Sequence, residues 1–134
     1  MILVDTSVWI DFFSPSPGRA GGELRWMIEE AEPFALTGVI VTEILQGLKR
    51  DVHRVEHFLS LWDMLEPRGF STYREASAIS RLARSKGISL TTIDTLIAAV
   101  ALEHNASLFS LDKVFSRIAR LTPLGLYPLP EPER

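Results

Sequence analysis

Cysteine is absent from the 134 residues. That excludes disulfides and thiolate metal sites, so a bound metal has to be held by oxygen or imidazole ligands. Long apolar runs are missing too: none approaches the roughly 20 residues that span a bilayer, and a soluble protein with no membrane partner is expected. The apolar residues 1–4 are interrupted at once by Asp5, before a signal-peptide core can form, so the expected location is cytoplasmic. There is no glycine-rich loop of the P-loop or dinucleotide kind, which argues against a nucleotide cofactor, and there is no internal repeat or low-complexity tract. A basic excess is lacking as well: 14 Lys and Arg against 17 Asp and Glu leave a net charge of -3. That balance disfavours coating nucleic acid by charge alone, while a local basic stripe remains able to bind phosphates.

What is present suits one domain. Hydrophobic residues make up 46% and charged residues 23%, an ordinary globular balance in a chain long enough to fold without staples. Residues 2–4 read as a short core strand and 6–13 as a helix ending at the Pro15, Pro17, Gly18 loop. Residues 22–32 form a helix stopped by Pro33; 34–36 are a second strand and 39–49 a helix. Amphipathic helices are expected over 51–65 and 72–86, with Gly69 at the junction and Gly87 after the second. An apolar helix over 94–105 follows, then a strand at 107–111, a helix at 113–121 and a last short strand at 124–127. The expected domain is 1–127, and the Pro-rich 128–134 reads as a loose tail. Strands alternating with helices give an α/β fold: a short central parallel sheet flanked by helices on both faces, with ligands bound at the carboxyl ends of the strands.

Asp5 and Asp112 stand at such strand ends. Each of Asp5, Asp94 and Asp112 has a plain alternative use, capping a helix start. Glu43 is harder to explain away. On a helical wheel Ile40, Ile44, Leu45 and Leu48 form the apolar face and Glu43 lies at its edge, with no Lys or Arg three or four positions before it. A glutamate bordering a core is penalised by desolvation unless a cation meets it. Convergence of the four carboxylates on one pocket solves this economically if a divalent ion neutralises them, and oxygen ligands suit Mg²⁺ or Mn²⁺. Such a site leaves positions open for a phosphate oxygen and a water.

The stretches VDTSVWIDFF around Asp5, VTEILQGLK around Glu43, TTIDTLIAAVALEHNA around Asp94 and LFSLDKVFSRIA around Asp112 resemble, in order and spacing, the PIN-domain ribonucleases, and among them the VapC-type toxins of bacterial toxin-antitoxin pairs. The likeness runs over most of the chain. It implies a PIN-like fold in which Asp5, Asp94 and Asp112 hold Mg²⁺, Glu43 binds the ion or orients its attacking water, and Ser7 supports the site by hydrogen bonding. It further implies hydrolysis of single-stranded RNA to leave a 5′-phosphate, an antitoxin protein as partner, and a homodimer.

Other signals compete. His53-Arg54-Val55-Glu56-His57 fits the H-x-x-E-H zinc pattern, but Val55, Phe58, Leu59 and Trp62 mark the buried face and place both histidines nearly opposite, with no third ligand in view. His104 reads as a partner of a helix dipole. Lys113, Arg117 and Arg120 form one stripe, which is either a solvated face or, with Lys49, Arg50 and Arg54, a guide for RNA backbone that Arg74, Arg81 and Arg84 extend. Trp9, Phe12, Phe13 and Trp26 read first as core, and any exposed part suits a groove for a partner segment. Two catalytic rivals are disfavoured: a haloacid-dehalogenase-type enzyme needs an aspartate where Ser7 stands, and a phospho-receiver domain needs an acidic pair before Asp5. A PIN-like module that binds protein without catalysis is the third alternative, against which the four intact acids count.

Overall fold

The computed structural model describes residues 1–130. The strands β1 (Ile2–Val4), β2 (Phe34–Leu36), β3 (Asp63–Met64) and β4 (Ser107–Phe109) form one parallel sheet in the order β3-β2-β1-β4. Ile2 pairs with both Phe34 and Ser107, so β1 is central. Phe34, Ala35 and Leu36 are all buried, as are Leu3, Val4, Leu108 and Phe109. Successive strand residues face opposite sides, so burial at consecutive positions means that both faces are covered, as expected of a parallel sheet. From β1 the chain passes to β2 and β3 on one side and returns to β4 on the other. The switch point therefore lies between β1 and β4, where open α/β sheets leave a crevice beyond the strand ends.

The covering helices are α1 (Thr6–Phe13), α2 (Arg19–Glu29), α3 (Gly38–Gln46), α4 (Val52–Leu59), α5 (Phe70–Ser85), α6 (Thr92–Glu103) and α7 (Val114–Leu121). None among the described residues is long and apolar enough to cross a membrane. The helix α6 is buried on most sides, through Thr95 and 97–101, and packs against α3, α5 and α7. Helix α5 ends as expected at Gly87, whose φ of 79° lets the Ile88 N–H reach the Ala83 carbonyl and the Gly87 N–H reach that of Arg84, which closes the last turn.

Tertiary contacts moved several boundaries. The helix expected over 51–65 stops at Leu59, and Asp63–Met64 instead pairs in parallel with Ala35–Leu36. The Leu65 N–H donates to the Leu36 carbonyl at 2.7 Å, and Thr37 Oγ1 donates to the Leu65 carbonyl; these sheet contacts override the helical pattern. Helix α2 starts at Arg19, ahead of the expected residue 22, because the Asp11 carboxylate on α1 accepts the Gly18 and Gly21 N–H groups at 2.7–3.1 Å. That cap comes from another helix and no local pattern announces it. The strand expected over 124–127 is a single parallel bridge, Leu108 with Leu126, although Tyr127 stacks on Phe109. Of the tail expected loose at 128–134, Leu129 packs against the core and the Pro130 carbonyl accepts from Arg19 Nη1 at 2.8 Å; residues 131–134 lie outside the described part.

Candidate active site

Three apolar residues deliver Asp5 to the carboxyl edge of the central strand, and its N–H donates to the Phe109 carbonyl at 2.8 Å, one step beyond the β1–β4 ladder. Asp5 occupies the N-cap position of α1, yet its side chain makes no cap bond. The carboxylate, 5% exposed, instead accepts two hydroxyls on one oxygen: Oδ2 receives Ser7 Oγ at 3.0 Å and Ser110 Oγ at 2.7 Å. Among the described residues Oδ1 accepts no hydrogen bond. The capping explanation thus fails for Asp5, and its second carboxylate oxygen, which solvent reaches, is left without a hydrogen-bond partner among the described residues.

The same two serines build the loop that carries Asp112. Ser7 Oγ accepts the Leu111 N–H at 2.9 Å and Ser110 Oγ accepts the Asp112 N–H at 3.0 Å. These bonds turn the chain out of the sheet at Phe109, so β4 ends two residues before the strand expected to reach 111. Asp112 does cap a helix: its Oδ1 accepts the Val114 N–H at 3.0 Å, and the plain explanation holds for that oxygen. Glu43, on α3, is half-buried and accepts Thr6 Oγ1 on Oε1 at 2.8 Å. No Lys or Arg among the described residues forms an ion pair with it.

Asp94 lies in the first turn of α6, where the Asp94 N–H donates to Thr91 Oγ1 at 3.2 Å. Burial pushes its carboxyl above the ordinary value of 3.8; hydrogen bonding to Thr91 opposes this, and the charges of Asp112 and then Asp5 add to it. Asp94 therefore senses the other two aspartates across the crevice. Among the described residues, no group of three or more acidic or histidine side chains is placed to hold a metal ion directly. Mg²⁺ dehydrates reluctantly and keeps several waters in its shell, through which carboxylates too far apart for joint direct ligation can still reach it. An all-oxygen donor set, an unpartnered Asp5 oxygen and a destabilised Asp94 charge fit that requirement.

Ser110 and Thr6 belong to this site and were not singled out from sequence. Ser110 is visible two positions before Asp112, but its link to Asp5 depends on the β1–β4 pairing. The expected cations divide into two places. Lys49, Arg50 and Arg54 line a cleft of about 500 Å³ with Phe13 and Phe58, beginning at Gly47, one turn past Glu43. Lys113, Arg117 and Arg120 are exposed on α7 directly after Asp112. His53 and His57 are exposed, and His53 Nδ1 lies 3.5 Å from Glu56 Oε2 on the same helix. His104 Nε2 lies 2.8 Å from the Glu66 carbonyl, a bridge between loop and helix. Trp9 is fully buried, while Phe13 and Trp26 are partly exposed.

A parallel sheet with an acidic switch point is the arrangement of the PIN domain family, and the chain belongs to it, matching that family over residues 2–121. It is 37% identical over 128 residues to Ribonuclease VapC11 of Mycobacterium tuberculosis, covering 92% of this chain and 96% of that protein. Among solved structures, VapBC2 from Rickettsia felis, bound to a DNA fragment from its promoter, superposes with a TM-score of 0.74 over 95% of this chain and 98% of that one, at 19% identity. FitAcB from Neisseria gonorrhoeae gives 0.71 over 96% and 97% at 22% identity. At these identities the two structures speak for the fold.

Proposed function

We propose that the protein is a metal-dependent endoribonuclease that cleaves single-stranded RNA and serves as the toxin of a toxin-antitoxin pair. The observation that carries this reading is the gathering of Asp5, Asp94 and Asp112 at the sheet's switch point, where burial and mutual repulsion raise Asp94. Asp5, Asp94 and Asp112 hold Mg²⁺, with Mn²⁺ also suited to the oxygen set, and Glu43 binds the ion or positions the attacking water. Bound there, the ion supplies charge stabilisation for a phosphodiester and an activated water. The protein groups do the rest. Ser7 and Ser110 hold Asp5 through Oδ2 and leave Oδ1 free for the ion, and Thr6 engages one Glu43 oxygen and leaves the other for a water proton. Lys49, Arg50 and Arg54 on one side, with Lys113 and Arg117 on the other, neutralise phosphates as RNA approaches.

The identity to a VapC ribonuclease over nearly the full length of both chains supports the same reading. It also motivates the partners: an antitoxin protein, for which the half-exposed aromatics Phe13 and Trp26 offer apolar contact, and a second copy of the chain. Residues 1–127 constitute the nuclease unit, and the protein acts in the cytoplasm. The test is incubation of the purified, antitoxin-free protein with a mixed single-stranded RNA pool and Mg²⁺ or Mn²⁺, against excess EDTA, with Asp5→Asn as the contamination control. Metal-dependent 5′-phosphate products that vanish in Asp5→Asn are expected; cutting that survives the substitution overturns the assignment.

A further inference from the structure

The outer face of α5 departs from the acidic character of the chain. Helical spacing gathers Phe70, Tyr73, Arg74, Ser77, Arg81 and Arg84 within about 100° of arc, opposite the buried Thr72, Ala76, Ile79 and Ala83. All six are exposed. Phe70, at 78%, is the most exposed large apolar side chain described, and Tyr73 is 54% exposed. No acidic residue shares the arc, since Glu75 projects from the flank. Arg81 Nη1 donates to Ser77 Oγ at 3.3 Å, which orients one guanidinium outward along the helix. Among the described residues none of the three arginines lies within ion-pair distance of a carboxylate.

The position of this face matters as much as its composition. Helices α5 and α6 form an antiparallel hairpin: residues 86–91 join them at one end, and Thr72 Oγ1 donates to Glu103 Oε2 at 2.7 Å at the other. Arg84 therefore stands at the end of α5 beside the start of α6, which carries Asp94, and Phe70 stands roughly 21 Å farther out. Helix α7, whose N-cap Lys113 directly follows Asp112, packs against α5 and carries the exposed Arg117 and Arg120.

We infer that the outer face of α5 is a platform for single-stranded RNA that runs from the α6 end of the hairpin outward, with Arg74, Arg81 and Arg84 on phosphates and Tyr73 and Phe70 stacked on unpaired bases at the far end. The inference rests on the ribonuclease reading. Aromatic faces interleaved with cations satisfy both halves of an unpaired nucleotide, its base and its phosphate. A second copy docked face to face fits less well, because it brings three guanidinium groups from each protomer into one interface with no carboxylate to meet them.

The experiment measures binding of an oligouridine RNA of about 12 nucleotides to the full chain by fluorescence anisotropy, in excess EDTA so that the RNA is not cut. Phe70→Ala with Tyr73→Ala is expected to raise Kd about tenfold or more while leaving binding of an abasic ribose-phosphate oligomer unchanged. Arg74→Gln, Arg81→Gln and Arg84→Gln together are expected to flatten the salt dependence of log K by about 2, at roughly 0.7 per phosphate lost. Both sets of substitutions are on the surface, and circular dichroism melts check that they fold. The platform is overturned if wild-type protein does not bind the oligomer or if both sets shift Kd less than twofold. It is overturned equally if they convert a dimer to a monomer in sedimentation, which assigns the face to a second copy. Because no cleavage is read, failure of the ribonuclease reading appears separately, as wild-type protein that cuts no RNA with metal present.

Discussion

Two regions of the molecule concentrate potential metal ligands, and they differ in how the fold treats them. On α4, His53, Glu56 and His57 fall within five consecutive residues, yet all three side chains are exposed and their one close contact is within the helix. At the sheet edge, Asp5, Glu43, Asp94 and Asp112 come from four separate elements spread over most of the chain. Asp5 is buried, Glu43 and Asp94 half-buried, and only Asp112 is exposed. Solvent screens a row of ligands on one helix face and leaves nothing to be neutralised. Carboxylates drawn together out of water create a demand for a cation. The proposed site rests on convergence from distant elements, not on density along the sequence.

The sharpest way to break this comparison is to remove charge at the sheet edge. Asp94→Asn or Asp5→Asn is expected to lower the rate of RNA cleavage by about 10²–10³, since metal-borne charge stabilisation is worth several kcal/mol, with the far-ultraviolet spectrum unchanged. A variant retaining most of its activity in a single-turnover assay contradicts the assignment.

A smaller effect is expected one step outward, at Ser110. Ser110→Ala removes a 2.7 Å hydroxyl from Asp5 and the acceptor of the Asp112 N–H together. The expected loss is about 10–100-fold in metal affinity, read as a higher Mg²⁺ concentration for half-maximal cleavage with the rate largely recovered at saturating metal. An equal loss at every metal concentration points instead to a group that meets the substrate.

Asp94 makes the same comparison through pH. Its carboxyl lies above the ordinary value of 3.8, chiefly through burial, so between the unfolded and folded values the native state binds more protons than the unfolded chain. The contribution of Asp94 to the stability of the metal-free protein is then fully present below its unfolded value and is lost as pH rises through that window. Asp94→Asn removes the decline. In metal-free buffers from about pH 4 to 7 the variant is expected to melt a few degrees above wild type, with the gap opening as pH rises, and added Mg²⁺ is expected to raise the wild type more than the variant. Parallel melting curves across this range contradict the assignment of Asp94 to the acidic cluster.

These effects differ in how far sequence alone foretold them. The parallel sheet and both central strands were legible because each rests on a local apolar run; the four acids of the proposed site were singled out by pattern too, as a carboxylate ending an apolar run or one charged neighbour beside a helix's apolar face. Strand β3 was hidden because two residues carry no periodicity, and Asp63–Met64 become a strand only by lying against β2. Ser110 and Thr6 were hidden for a related reason. A hydroxyl in a turn is unremarkable until the β1–β4 pairing brings Ser110 to Asp5, or until α1 and α3 set Thr6 against Glu43. The early start of α2 depends in the same way on Asp11, which lies on the preceding helix.

The smallest expected effect concerns α4. His53→Ala with His57→Ala removes the H-x-x-E-H pattern entirely, and exposed side chains away from caps and cores change stability by about 0.5 kcal/mol or less. The histidines lie outside the acidic crevice and make no bond to Asp5, Glu43, Asp94 or Asp112 among the described residues. Cleavage by the double variant is therefore expected within about twofold of wild type at every metal concentration. Zn²⁺ titrated by calorimetry is expected to give the same isotherm for both proteins. A zinc-binding step present in the wild type and lost in the variant would show that one solvated helix face holds an ion after all, and convergence would then cease to separate the two regions.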